Sequence, residues 1–123
     1  MSTIKCNKWL NPDGTENFKC RAWVLFNGNG TVGIQASGNV SSITDNGTGN
    51  YTVNFATPMP DINFCVASNV NGNVANDTGT SYAANPALSD IKTTTQYQTR
   101  TRYTNPSSSA SYDAPEIGLV FHI

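Results

Sequence analysis

The sequence predicts an all-β chain, an antiparallel β-sandwich of jelly-roll-like form, and three observations carry that prediction. Short runs of alternating apolar and polar residues recur along the chain. Clusters of Asn, Gly, Asp and Pro separate them, as tight turns require. No segment keeps the 3.6-residue apolar period of an amphipathic helix.

The elements follow in order. Residues 21–26 read RAWVLF, apolar on both faces, as suits a central or interface strand. Asn27, Gly28, Asn29 and Gly30 tolerate the positive φ of a tight hairpin turn. Residues 31–37 alternate Val32, Ile34 and Ala36 against Gly33 and Gln35. Residues 40–44 form a shorter strand, and 45–49 (DNGTG) the next turn. Residues 50–56 are the clearest period-two segment, with Tyr51, Val53 and Phe55 set against Thr52 and Asn54. Pro58 and Pro60 then interrupt pairing, because proline donates nothing to a ladder.

Ile62, Phe64 and Val66 are expected on one face of a further strand. Residues 69–85 read as a long loop with a short strand around Val74, and residues 91–104 as an alternating segment with a polar exposed face. Residues 105–111 read as a second loop, opened by Pro106. Residues 116–123 close the fold, with Ile117, Leu119, Phe121 and Ile123 on one face and Gly118, Val120 and His122 on the other. A chain end this apolar is either tied into a sheet or covered by another subunit. The second alternative places Trp23, Leu25, Val120 and His122 in an oligomer interface.

A chain of 123 residues fits one domain, divided here into an N-terminal lead-in strand or arm (1–19) and a sandwich (20–123). Charged residues make up 12%, about half the usual share, yet aromatic residues reach 10% and the net charge is only -1, which argues against disorder. Without a basic run, nucleic acid is not an expected partner. No stretch is apolar enough to insert in a membrane, and residues 1–10 are polar with two lysines, unlike a secretory signal. Synthesis in a cytoplasm is therefore expected. Cys6, Cys20 and Cys65 are each expected to be reduced, small and buried, with a Cys6–Cys20 bridge as the sharper alternative.

No catalytic, metal or cofactor site is legible. The single histidine, His122, reads as a strand residue and leaves a serine or cysteine nucleophile without a base. Asp113 and Glu116 flank Pro115, and a glycosidase pair there is only formally possible. Gly28, Gly30 and Gly33 match GxGxxG, but a strand follows and no helix N-terminus is present to hold phosphate. Asn29, Asn39, Asn46, Asn50 and Asn76 begin N-x-Ser/Thr sequons as a by-product of composition. Arg100, Arg102 and Tyr103 form a small basic-aromatic group, and Tyr82, Tyr97 and Tyr112 lie near Asn- and Gln-rich segments. These six are the candidate contact residues for a partner or a glycan.

The segment CRAWVLFNGNGTVGIQASGNVSSITDNGTGNYTVNFATPMP, residues 20–60, resembles a module of tailed-phage and prophage proteins. It is similar to the C-terminal module of tail-fibre and other virion proteins, cyanophage ones included. The opening MSTIKCNKWLNPDG resembles the lead-in strand that such proteins place ahead of it. The resemblance implies a non-enzymatic β-sandwich that commonly assembles as a homotrimer, located in the virion, on tail or capsid surface. Its partners would be other virion proteins and a host surface glycan. A receptor-binding tail-fibre-type module is the first expectation. The short chain, which holds no shaft, makes a capsid cement or decoration protein the alternative.

Overall fold

A computed structural model describes residues 2–15, 20–72, 80–84, 87 and 89–123. Nine strands are assigned among them: β1 Cys20–Asn27, β2 Gly33–Gly38, β3 Val40–Gly47, β4 Asn50–Phe55, β5 Cys65–Asn71, β6 Ser81–Ala84, β7 Gln96–Thr104, β8 Ser109–Ser111 and β9 Glu116–His122. No helix occurs among the described residues. The strands form two antiparallel sheets that pack together. Sheet I has the order β2-β1-β9-β5, and sheet II the order β3-β4-β7-β6, with β8 also paired to β7.

Period-two alternation builds the interior. Ala22, Val24 and Phe26 of β1 and Ile117, Leu119 and Phe121 of β9 point inward from sheet I. Tyr51, Val53 and Phe55 of β4 and Tyr97, Thr99 and Thr101 of β7 meet them from sheet II. Phe121 packs edge-to-face against Phe55 (centroids 4.9 Å), Tyr97 (5.3 Å) and Phe64 (5.9 Å), the arrangement that aromatic quadrupoles favour. The polar β7 thus joins the core through threonine methyls and one tyrosine ring, which compensates for its lack of aliphatic residues.

Asn39 is the corner between the sheets. It is the single residue separating β2 of sheet I from β3 of sheet II, and it adopts φ 57°. Asparagine tolerates this left-handed region because its short amide bonds nearby backbone. Here Nδ2 donates to the carbonyls of Arg21 (3.1 Å) and Thr57 (3.0 Å), while Oδ1 accepts the Thr57 amide at 2.6 Å. At another border, β5 and β6 approach: Ser68 Oγ donates to the Ala84 carbonyl at 3.3 Å, and the Tyr82 ring lies against Gly72.

Several expectations change. The first turn runs over residues 28–32 rather than 27–30, with an extra residue in β2 where Leu25 pairs Ala36 but Phe26 pairs Ile34. β3 extends through Gly47, leaving Thr48-Gly49 as the turn. Ile62 is 54% exposed, because the chain bends there and β5 begins only at Cys65. Residues 69–71 and 81–84 are strand rather than loop, and so are residues 109–111. The strand expected around Val74 lies outside the described residues. β9 is tied into its own sheet between β1 and β5, its inner residues Ile117, Leu119 and Phe121 are buried, and Val120 on its outer face stays exposed. All three cysteines are free and exposed instead of buried.

Candidate functional site

The outer face of sheet I carries the first candidate surface. Three strands run side by side in register, which aligns their outward residues in rows. Cys20, His122 and Cys65 form one row, Trp23, Val120 and Ala67 the next, and Leu25, Gly118 and Asn69 the third. Trp23 and Val120 are each 42% exposed. Between them and Ala67 lies a shallow apolar groove of about 380 Å³. Gly118 deepens it, since it has no side chain where Leu25 and Asn69 flank it. The Trp23 indole lies across Gly38 of β2, where any Cβ would collide with its ring nitrogen. No Asp, Glu, Lys or Arg occurs in the three rows. Glu116, one step further along β9, accepts a hydrogen bond from Asn71 Nδ2.

The outer face of sheet II has the opposite chemistry. Asn54 Nδ2 donates to Ser42 Oγ and Thr44 Oγ1, each at 3.0 Å. Gln96 Nε2 donates to Asn54 Oδ1 at 2.9 Å, and Gln98 Nε2 to Asn50 Oδ1 at 2.8 Å. Asn46 Nδ2 donates to Thr52 Oγ1 at 2.8 Å, burying Thr52. These cross-strand pairs form a ladder of amides and hydroxyls over β3, β4 and β7. Sequence reasoning missed the ladder. Its signal was the matched polar alternation of Asn50, Thr52 and Asn54 with Gln96 and Gln98, which becomes informative only when the strands are known to pair.

The second candidate surface is a group of three tyrosines. Tyr82 of β6 stands opposite Tyr103 of β7. The Tyr112 ring lies 5.5 Å from Tyr82 and 6.0 Å from Tyr103. All three are half-buried. The Tyr112 backbone amide donates to the Thr101 carbonyl at 3.0 Å, which fixes this ring relative to β7.

The six expected contact residues therefore do not form one patch. Tyr97 is 5% exposed and belongs to the core; burial holds its hydroxyl pKa above the ordinary value. Strand alternation sends Arg100 and Arg102 to the face opposite Tyr97. Arg100 is held by Asp90, with Nε and a terminal nitrogen each 2.7 Å from a carboxylate oxygen. That bidentate bond from Arg100 lowers the Asp90 pKa. Arg102 donates to Ser109 Oγ at 3.2 Å. Of the four residues expected at an interface, Trp23, Leu25 and Val120 share the groove, and His122 is exposed at its end.

The acidic groups serve local structure. Asp113 accepts from the Gly49 amide and the Tyr51 hydroxyl, both at 2.7 Å, whereas Glu116 is engaged by Asn71. Asp13 accepts from the hydroxyl and amide of Thr15, which lowers its pKa. Among the described residues no three of His, Cys, Asp and Glu stand close enough to hold a metal ion. No helix of the described residues is long and apolar enough to cross a membrane. Comparison with family models, curated proteins and solved structures gives no match.

Proposed function

We propose that this chain is a non-enzymatic structural protein of a tailed-phage virion, a tail-fibre-type receptor-binding module that works as a homotrimer. The observation that carries the reading is the contrast between the two outer faces. Sheet I presents an uncharged apolar groove around Trp23 and Val120, and sheet II presents a saturated ladder of amides and hydroxyls. Exposed apolar surface on a soluble sheet marks an interaction site, whereas a polar ladder keeps the other face hydrated. The resemblance of residues 20–60, which span β1 to β4, supports the phage assignment.

In this reading sheet I faces the other copies, and the Tyr82–Tyr103–Tyr112 group meets a host surface saccharide. Tyrosine suits that role, since its ring covers the apolar face of a sugar while its hydroxyl exchanges hydrogen bonds. Binding of the purified protein to an array of host-surface saccharides tests the proposal. Binding that falls at least about tenfold with Tyr103→Ala supports it, a loss in the range typical of an aromatic anchor. Absence of binding to every host saccharide counts against it.

A further inference from the structure

We infer that the N-terminal arm, residues 2–10, docks in the sheet I groove of a second copy of this chain. Every residue of this arm is exposed. It nevertheless carries Ile4 at 87%, Trp9 at 62% and Leu10 at 51% exposure, three large apolar side chains in a short segment. The groove is the complementary surface. Trp23 and Val120 remain 42% exposed on its walls, so arm and groove do not cover each other within one copy. One copy thus presents both halves of an apolar contact.

Length and charge fit the same occupant. Nine residues of extended chain reach about 30 Å. The β9 run from Glu116 to His122 measures about 23 Å at the rise of a strand, so an arm can follow the whole row. The arm has Lys5 and Lys8 and no acidic residue. The groove rows hold no Asp, Glu, Lys or Arg, and the carboxylate next to them on the outer face of β9 belongs to Glu116. With Trp9 seated beside Val120 in an extended arm, Lys5 shares its face four residues away, the spacing that separates Val120 from Glu116 on β9. Tryptophan is also the side chain that most often anchors an interface, because it buries a large area at little entropic cost. Each copy donates one arm and accepts another, which closes into a reciprocal pair or a ring.

The inference rests on exposed side chains alone and not on the receptor reading, which has a separate readout in saccharide binding. The test uses three variants of the chain. Ile4→Ser/Trp9→Ser/Leu10→Ser cannot donate an arm, and Val120→Asp cannot accept one. Ala67→Glu, also at an exposed position, is a second acceptor-defective variant in case the first fails to fold. Thermal melts establish folding, and sedimentation velocity reads association. The wild type self-associates, and each variant alone associates at least about tenfold more weakly. An equimolar mixture of the donor-defective and acceptor-defective chains forms a 1:1 pair, because one intact arm and one intact groove remain. An arm variant that associates like the wild type would show sheets pairing directly and would overturn the inference. So would a mixture that stays monomeric, as an arm folded onto its own chain requires, or a monomeric wild type.

Discussion

The Tyr51 hydroxyl and the Asp113 carboxylate stand 2.7 Å apart, joining β4 to the segment between β8 and β9. The Gly28 carbonyl lies 3.1 Å from the same hydroxyl. A phenol has one proton to donate, and the charged, nearer acceptor takes it. Burial, reinforced by Asp113, raises the Tyr51 pKa and keeps the phenol protonated. Gly28 is glycine because a Cβ there would stand 2.3 Å from the Tyr51 oxygen.

This triangle predicts a coupling. Tyr51→Phe costs about 1–3 kcal/mol, since Asp113 loses a donor inside the fold. Gly28→Ala is also destabilising, but less so in the Tyr51→Phe background, where the nearest clashing atom is gone. Urea denaturation of the two single variants and the double variant measures the difference.

At the sheet corner, Asn39 supplies both a left-handed backbone and three hydrogen bonds. Asn39→Gly keeps the backbone and loses the bonds, at a cost of about 2–3 kcal/mol. Asn39→Ala loses both and falls lower by about another 1 kcal/mol. The order Asn, Gly, Ala in melting temperature is the expected result.

Thr99 is fully buried, opposite Tyr51 across the β4–β7 pair, and its hydroxyl has no hydrogen-bond partner. Thr99→Val keeps the shape and removes the stranded polar atom. It is expected to raise stability by about 1–2 kcal/mol in chemical denaturation.

The Asp90–Arg100 pair predicts a pH dependence with a definite sign. The bond from Arg100 lowers the Asp90 pKa below its ordinary 3.8. A carboxyl depressed on folding stabilises the protein above its unfolded pKa, and that contribution disappears as pH falls through the folded value. Asp90→Asn is therefore less stable than wild type at neutral pH, and the difference closes between about pH 5 and pH 2. The effect is small, because Arg100 is 43% exposed and solvent screens the pair. Thermal melts across that range read it.

Strand positions with large apolar side chains were legible in the sequence. Tyr51, Val53 and Phe55, like Ile117, Leu119 and Phe121, announce their buried face by alternation alone. β6 and β8 were not legible, because Ser81–Ala84 and Ser109–Ser111 are short and owe their pairing to β7. The same limit hid the burial of Tyr97, Thr99 and Thr101: an alternation of polar with polar residues does not say which face is inside. Trp23, Leu25 and Val120 could be placed outward from the double-sided apolarity of β1 and β9. Their alignment into one groove depended on the β1–β9–β5 order, which only the folded chain reveals. The cysteines misled because small apolar character favours burial generally, whereas each of these stands at an outward position or in the arm.

Looking for the protein on purified tailed-phage particles, by gold-labelled antibody or electron-microscopy density, tests the proposed function most directly. The receptor-binding reading predicts label confined to the tail tip, with the Tyr82–Tyr103–Tyr112 end facing outward. Label spread over the head, the signature of a capsid cement protein, would contradict it, as would absence from the purified particle.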